Sequence, residues 1–166
     1  SPRAGRDFAE YRDAAFLDAL GCGELAPALA DFWPVRGPQW DALGLSGRGD
    51  LLLVEAKAHI AEIFSPASQA GAESRARIEG ALAAAIQSVG AEPRAPWIDT
   101  FYQLANRIAH LDWLCRQGKP AWLVLVNFVG DADMKGPATA AEWHSAYQVV
   151  WHVMGLPSRG GVMKRI

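Results

Sequence analysis

The sequence predicts an α/β fold, and three observations carry that reading. An apolar run, Asp50-Leu51-Leu52-Leu53-Val54-Glu55-Ala56-Lys57, follows Trp40-Asp41-Ala42-Leu43-Gly44-Leu45 across Ser46-Gly47-Arg48-Gly49, which reads as two strands joined by a hairpin turn. A second apolar run, Ala121 to Val129, is short and rich in β-branched residues, as expected of a strand buried on both faces. The stretches between and after these runs show helical spacing.

Taken in order, Phe8 to Leu20 predicts a helix, with Phe8, Tyr11, Ala15 and Phe16 at helical spacing and Gly21 as its stop. Glu24 to Asp31 predicts a short second helix interrupted by Pro27. After the hairpin, Ser65 to Ala72 has no apolar period and reads as a loop. Glu73 to Val89 predicts a strong helix, with Ile78, Leu82, Ala85, Ile86 and Val89 on one stripe and Gly90 ending it. Thr100 is placed to cap a helix over Phe101 to Gln117, and Gly130 to Pro137 reads as a turn. Ala140 to Met154 closes the pattern as a final helix with Trp143, Tyr147, Val150, Trp151 and Met154 apolar.

At 166 residues and 51% hydrophobic, the chain suits one compact domain over residues 1–166. No apolar stretch approaches the ~18 residues a membrane span needs, and Ser1 to Arg6 lacks the apolar core of a signal peptide. Cys22 and Cys115 lack metal-type spacing and are expected to be two reduced thiols, which favours the cytoplasm. The net charge of −2 argues against tight non-specific coating of nucleic acid but leaves room for a local basic patch.

The chemistry concentrates in the hairpin. Burying a carboxylate and an ammonium costs several kcal/mol unless they pair with each other, a metal or a ligand. A Glu-Ala-Lys closing a run of Leu and Val therefore calls for a partner. If Asp41 lies opposite Glu55, paired residue numbers sum to 96 and the loop spans Ser46 to Asp50. Strand alternation then puts Asp41, Glu55 and Lys57 on one face, while Leu52, Val54 and Ala56 take the other, so the strand looks buried on both sides. Carboxylate oxygens suit a hard cation such as Mg²⁺, completed by water and by substrate phosphate oxygens. An adjacent ammonium can orient an attacking water or neutralise charge at phosphorus.

With Asp41 on one strand and Glu55-Ala56-Lys57 on the next, the chain resembles the PD-(D/E)XK nuclease superfamily, although the Pro of that signature does not directly precede Asp41. The resemblance implies a restriction-endonuclease-like core: a first helix, a three-stranded antiparallel segment, a second helix and a further strand. The expected sheet is central, mixed and four-stranded, flanked by helices, with the C-terminal helix as an addition. It implies Asp41 and Glu55 as ligands of Mg²⁺ or Mn²⁺, the Ala56 carbonyl as a candidate third ligand, and Lys57 as the catalytic lysine. The implied substrate is nucleic acid, DNA first, with loops or a homodimer partner supplying specificity.

Around that motif, the first helix of the family can add an acid, for which Glu10 is the candidate with Asp18 behind it. His59 would continue the face of Glu55 and Lys57 if the strand extends that far, which makes it a candidate to touch substrate or a metal-bound water, and Glu62 is similarly placed. On the helix after the loop, Gln103, Asn106, Arg107 and His110 form one polar stripe at i, i+3, i+4 and i+7. Hydrogen-bonding types of this kind suit a groove better than a solvent face. Tyr102, Gln103, Asn106 and Arg107 are thus the candidates for holding phosphate. Two rivals stand beside the nuclease reading: an inactive relative serving as a binding or assembly module, and an unrelated α/β protein in which Glu55 and Lys57 form only an ion pair.

Overall fold

The computed structural model describes residues 11–166, so Glu10 and the predicted helix start at Phe8 lie outside the described residues. The described residues form an α/β structure with six α-helices and an open three-stranded mixed sheet, not the expected four strands. The strands are β1 (Ala42–Leu45), β2 (Leu51–Lys57) and β3 (Ala121–Asn127), in the order β1-β2-β3. Strand β1 runs antiparallel to β2, and β3 runs parallel to it. An isolated antiparallel bridge, Tyr11 to Trp40, stands beyond the start of β1.

The hairpin register follows the expected sum of 96: Ala42 faces Val54 and Leu45 faces Leu51. Its loop is fixed by Ser46, whose Oγ accepts the Arg48 and Asp50 N–H groups at 3.2 and 3.1 Å, and by Gly49 at a φ of 85°. That left-handed backbone suits glycine.

The helices are α1 (Ala15–Ala19), α2 (Ala26–Phe32), α3 (Ala72–Val89), α4 (Trp97–Thr100), α5 (Tyr102–Arg116) and α6 (Ala140–Met154). Helix α1 is shorter than its apolar period suggests. Asp13 sits at a φ of 50° and accepts the Gly37 N–H on Oδ1 at 3.0 Å, so the chain cannot be helical through it. Pro27 does not interrupt α2, because it falls in the first turn, where no N–H is needed. Thr100 does not cap α5; it ends the short α4, and Phe101 is the residue before α5.

Helix α5 is the centre of the molecule. Every residue from Leu104 to Leu114 is buried, so its polar stripe is not a solvent face. It lies against the sheet face formed by Leu51, Leu53, Glu55 and Lys57, all buried, and α3 packs behind it. The opposite sheet face is more open: Leu52, Val54 and Ala56 are half-buried, and Trp122, Val126 and Phe128 are exposed. The expectation that β2 and β3 are buried on both faces is therefore corrected, since an unbroken apolar run does not say which of its faces a helix covers.

Helix α6 is anchored to the end of β3, with the Trp143 indole donating to the Phe128 carbonyl at 2.7 Å and the Tyr147 hydroxyl to Asn127 Oδ1 at 3.0 Å. Both cysteines are free. No helix of the described residues is long and apolar enough to cross a membrane.

Candidate functional site

The site begins with the pleat of β2. Alternation sends Glu55 and Lys57 to the α5 side, where they are 3% and 7% exposed. A lone carboxylate there would be costly, and the structure pairs it twice. Lys57 Nζ lies 2.7 Å from Glu55 Oε1, and Arg107 Nε lies 2.7 Å from Oε2. Lys57 also donates to Gln103 Oε1 at 2.8 Å, and Arg107 Nη2 donates to the Gln39 carbonyl at 2.6 Å. The Arg107 guanidinium stacks on the fully buried Trp40 ring, 4.7 Å from its centroid.

Asp41 arrives from the other strand. It is a bend residue one step before β1, and its Oδ2 accepts the Ala56 N–H at 2.6 Å, taking the place of a ladder bond. It lines an open cleft of about 530 Å³ together with Gln39, Ser65, Ser68, Tyr102, Gln103, Asn106 and Arg107. Glu55 and Lys57 do not line this cleft; they lie beneath Gln103 and Arg107, in a much smaller space closed on the far side by Leu125 and Tyr147. The segment after Ile63 forms one wall, as the loop reading of Ser65 to Ala72 expects, and Ser65 Oγ accepts the Gln103 N–H at 2.8 Å.

The structure thus brings together Asp41, Glu55, Lys57, Gln103 and Arg107, with Asn106 on the cleft wall. It does not bring His59. Glu62 Oε1 accepts the N–H groups of Ala58 and His59 at 3.0 and 2.9 Å, which ends β2 at Lys57 and starts a short 3-10 turn, Ile60–Ile63. His59 consequently lines a different hollow, with Met134, Lys135 and Glu142. Asp18 is exposed on α1 and does not line the cleft. His110, the last member of the polar stripe, is fully buried, and desolvation holds its imidazole at a pKa of about 3, neutral at ordinary pH.

Sequence reasoning missed two contributors. The Gln39 carbonyl helps seat Arg107, and nothing in its residue type announces that role. Tyr147, whose hydroxyl donates to Asn127, closes the space behind Lys57, and burial raises that hydroxyl to a pKa of about 12. The register of Lys57 against Asn127 was the available signal, but it needs the parallel β2–β3 pairing, which the sequence does not fix.

As a donor set for a cation, two carboxylates and nearby backbone carbonyls are hard oxygen ligands, so they fit Mg²⁺ or Mn²⁺ in kind. Asp41 Oδ1 accepts no hydrogen bond among the described residues, which leaves it for a ligand. No cluster of three His, Cys, Asp or Glu side chains forms among the described residues, so water and substrate oxygens would complete the shell. Glu55 gives both oxygens to cations, and coordination there requires one of those bonds to be exchanged.

Arg107 and Gln103 can present donors to an anion in the cleft, and Lys57 stands one hydrogen bond below them. The arrangement has the parts for binding a phosphodiester and stabilising charge on it. Compared with known proteins, the chain matches no family model, no curated protein and no solved structure.

Proposed function

We propose that this domain hydrolyses phosphodiester bonds in nucleic acid, DNA in the first instance, as a PD-(D/E)XK nuclease-like core with Asp41 and Glu55 as ligands of Mg²⁺ or Mn²⁺. One observation carries the reading: the hairpin register and the pleat of β2 gather Asp41, Glu55 and Lys57 at one end of the sheet, with Asp41 on the wall of a cleft it shares with Arg107 and Gln103, and Glu55 and Lys57 beneath those two side chains. When bound, the cation supplies Lewis-acid stabilisation of the phosphoryl oxygens. Arg107 and Gln103 orient the phosphate from the cleft wall. Lys57 holds the attacking water or neutralises the charge that develops on phosphorus. One water is consumed, one P–O bond forms as another breaks, and the leaving oxygen takes a proton, giving a phosphomonoester and a hydroxyl.

The test is cleavage of single-stranded, duplex and branched DNA with Mg²⁺ or Mn²⁺ by the wild type and Lys57→Ala. Metal-dependent cleavage by the wild type that falls at least ~100-fold in the variant, with the variant still folded by circular dichroism at the assay temperature, is expected for a group acting on the transition state. Equal cleavage by both would remove Lys57 from the mechanism.

A second reading, a binding or assembly module without activity, is favoured by one specific feature: both Glu55 oxygens are taken by buried cations and Lys57 does not reach the cleft. That reading expects DNA or protein binding with no dependence on divalent cation.

A further inference from the structure

Arg107 occupies an unusual position between two spaces. On its inner side, Nε caps Glu55 Oε2 at 2.7 Å; on its outer side, it forms part of the wall of the open cleft. Its Nη2 is tied to the Gln39 carbonyl and its plane rests on Trp40, while Nη1 makes no hydrogen bond among the described residues. The side chain therefore has a rigid seat, one donor to spare, and a bond to the same carboxylate that a cation would need.

We infer that Arg107 is the gate of the cation site: it caps Glu55 until a phosphodiester in the cleft draws its guanidinium away, so that the cation seat on Glu55 is completed only when substrate is present. This rests on the proposed reading of Asp41 and Glu55 as cation ligands. The physical argument is one of exchange. Breaking the Arg107–Glu55 pair with nothing in return would leave the buried guanidinium without its carboxylate and Glu55 Oε2 without a partner, which is unfavourable even though Lys57 stays on Oε1. A phosphate offers the guanidinium an anion with bidentate geometry, and a divalent cation offers Glu55 a replacement charge. The two events each remove the cost of the other, which is a positive coupling between ligands, and such coupling is reciprocal. Glu55 keeps Lys57 on Oε1 throughout, so only Oε2 changes partner.

The same geometry gives the gate a selectivity consequence. A cation arriving alone must displace a buried guanidinium, so the free protein discriminates against metal without substrate. The spare Nη1 makes the anion, not the metal, the first arrival.

The test uses Mn²⁺ and the thymidine dinucleotide TpT as probes, with calorimetry as the readout and no cleavage required. In the wild type, Mn²⁺ binding is expected to tighten at least tenfold when TpT is saturating. Arg107→Met, which keeps the side-chain bulk, is expected to bind Mn²⁺ without TpT at least tenfold more tightly than the wild type does alone. Wild-type protein labelled with ¹⁵N adds a readout that a change of net charge would not move. The Arg107 Nε–Hε resonance should shift on adding TpT together with Mg²⁺, as its Glu55 bond is exchanged, and should not shift with Mg²⁺ alone.

Tight Mn²⁺ binding by the wild type that ignores TpT would overturn the gate and leave the cation site standing. Coupling in the wild type with no gain in Arg107→Met, and no shift of the Nε–Hε resonance, would overturn the gate in favour of simple completion of the shell by phosphate. No Mn²⁺ binding by either protein, with or without TpT, would overturn both the gate and the cation-site reading. Should Arg107→Met prove unfolded by circular dichroism, the wild-type calorimetry and resonance decide the matter on their own, since the gate requires both the tightening and the shift.

Discussion

Helix α5 buries polar side chains at two levels, and the levels are treated differently. At Gln103 and Arg107, every charge meets a partner: Glu55 holds two cations, Lys57 bonds Glu55 and Gln103, and Arg107 adds a carbonyl and an aromatic face. One turn further on, His110 sits among Phe16, Phe32, Trp33 and Trp40, bonds the Asn106 carbonyl through Nδ1, and leaves Nε2 without a partner, as Asn106 leaves its Oδ1. The contrast is one of magnitude. An unpartnered neutral group costs ~1–3 kcal/mol in the interior, whereas an unpaired charge costs several and is not tolerated. The protein accepts the first cost at His110 and builds a network to avoid the second at Glu55. Well-packed apolar residues often fill such a level at no loss of stability, so stability alone does not account for the charges at Glu55.

The largest expected effect breaks the charged level. Glu55→Ala strands Lys57 and Arg107 together in the interior and should lower the unfolding free energy in a urea titration by ~3–5 kcal/mol. Combining it with Lys57→Met and Arg107→Met removes the stranded charges and should recover most of that loss. Failure to recover would show that the level is held by packing and not by charge.

The next effect belongs to the neutral level. The unfolded chain protonates His110 near its ordinary value of 6.5, while burial holds the folded imidazole near 3. Between those values the unfolded state binds the extra proton, so stability is complete above the unfolded value and falls as pH is lowered through the window. From about pH 8 to about pH 5 the loss should be about 2 kcal/mol, before most carboxylates titrate. His110→Leu should flatten that slope in paired melts at the two pH values.

The smallest effect on stability separates structure from site. Asp41→Asn still offers an oxygen to the Ala56 N–H and should change stability by less than ~1 kcal/mol. It removes the charge a cation needs, so Mn²⁺ binding measured with TpT present should weaken by about tenfold or more. A variant that loses a great deal of stability and no Mn²⁺ affinity would move Asp41 from the site to the scaffold.

Much of this was legible in the sequence. The hairpin sum of 96, the loop from Ser46 to Asp50, and helices α3 and α6 follow from turn chemistry and apolar spacing, which are local signals. What was not legible depends on distant partners. Whether β2 reaches His59 could not be read locally: the Glu62 carboxylate accepts the N–H groups of Ala58 and His59 and ends β2 at Lys57. The polar stripe of α5 was read correctly as hydrogen-bonding, but spacing alone could not divide it. Gln103 and Arg107 meet β2, and His110 meets the aromatic cluster, because α5 crosses from one environment to the other along its length. The open outer face of the sheet likewise depends on which helices dock where, and apolar runs carry no record of that.

The most direct test of the central claim is diffraction from crystals of the protein with a non-cleavable phosphorothioate DNA and Mn²⁺, using manganese anomalous scattering to place the ion. A manganese peak within ~2.3 Å of oxygens from both Asp41 and Glu55, allowing for an ion slightly larger than Mg²⁺, is the predicted result, with Arg107 turned to a phosphate oxygen. Phosphate bound in the cleft with no manganese there, and Glu55 still held by both Lys57 and Arg107, would contradict the account and leave a binding module in its place.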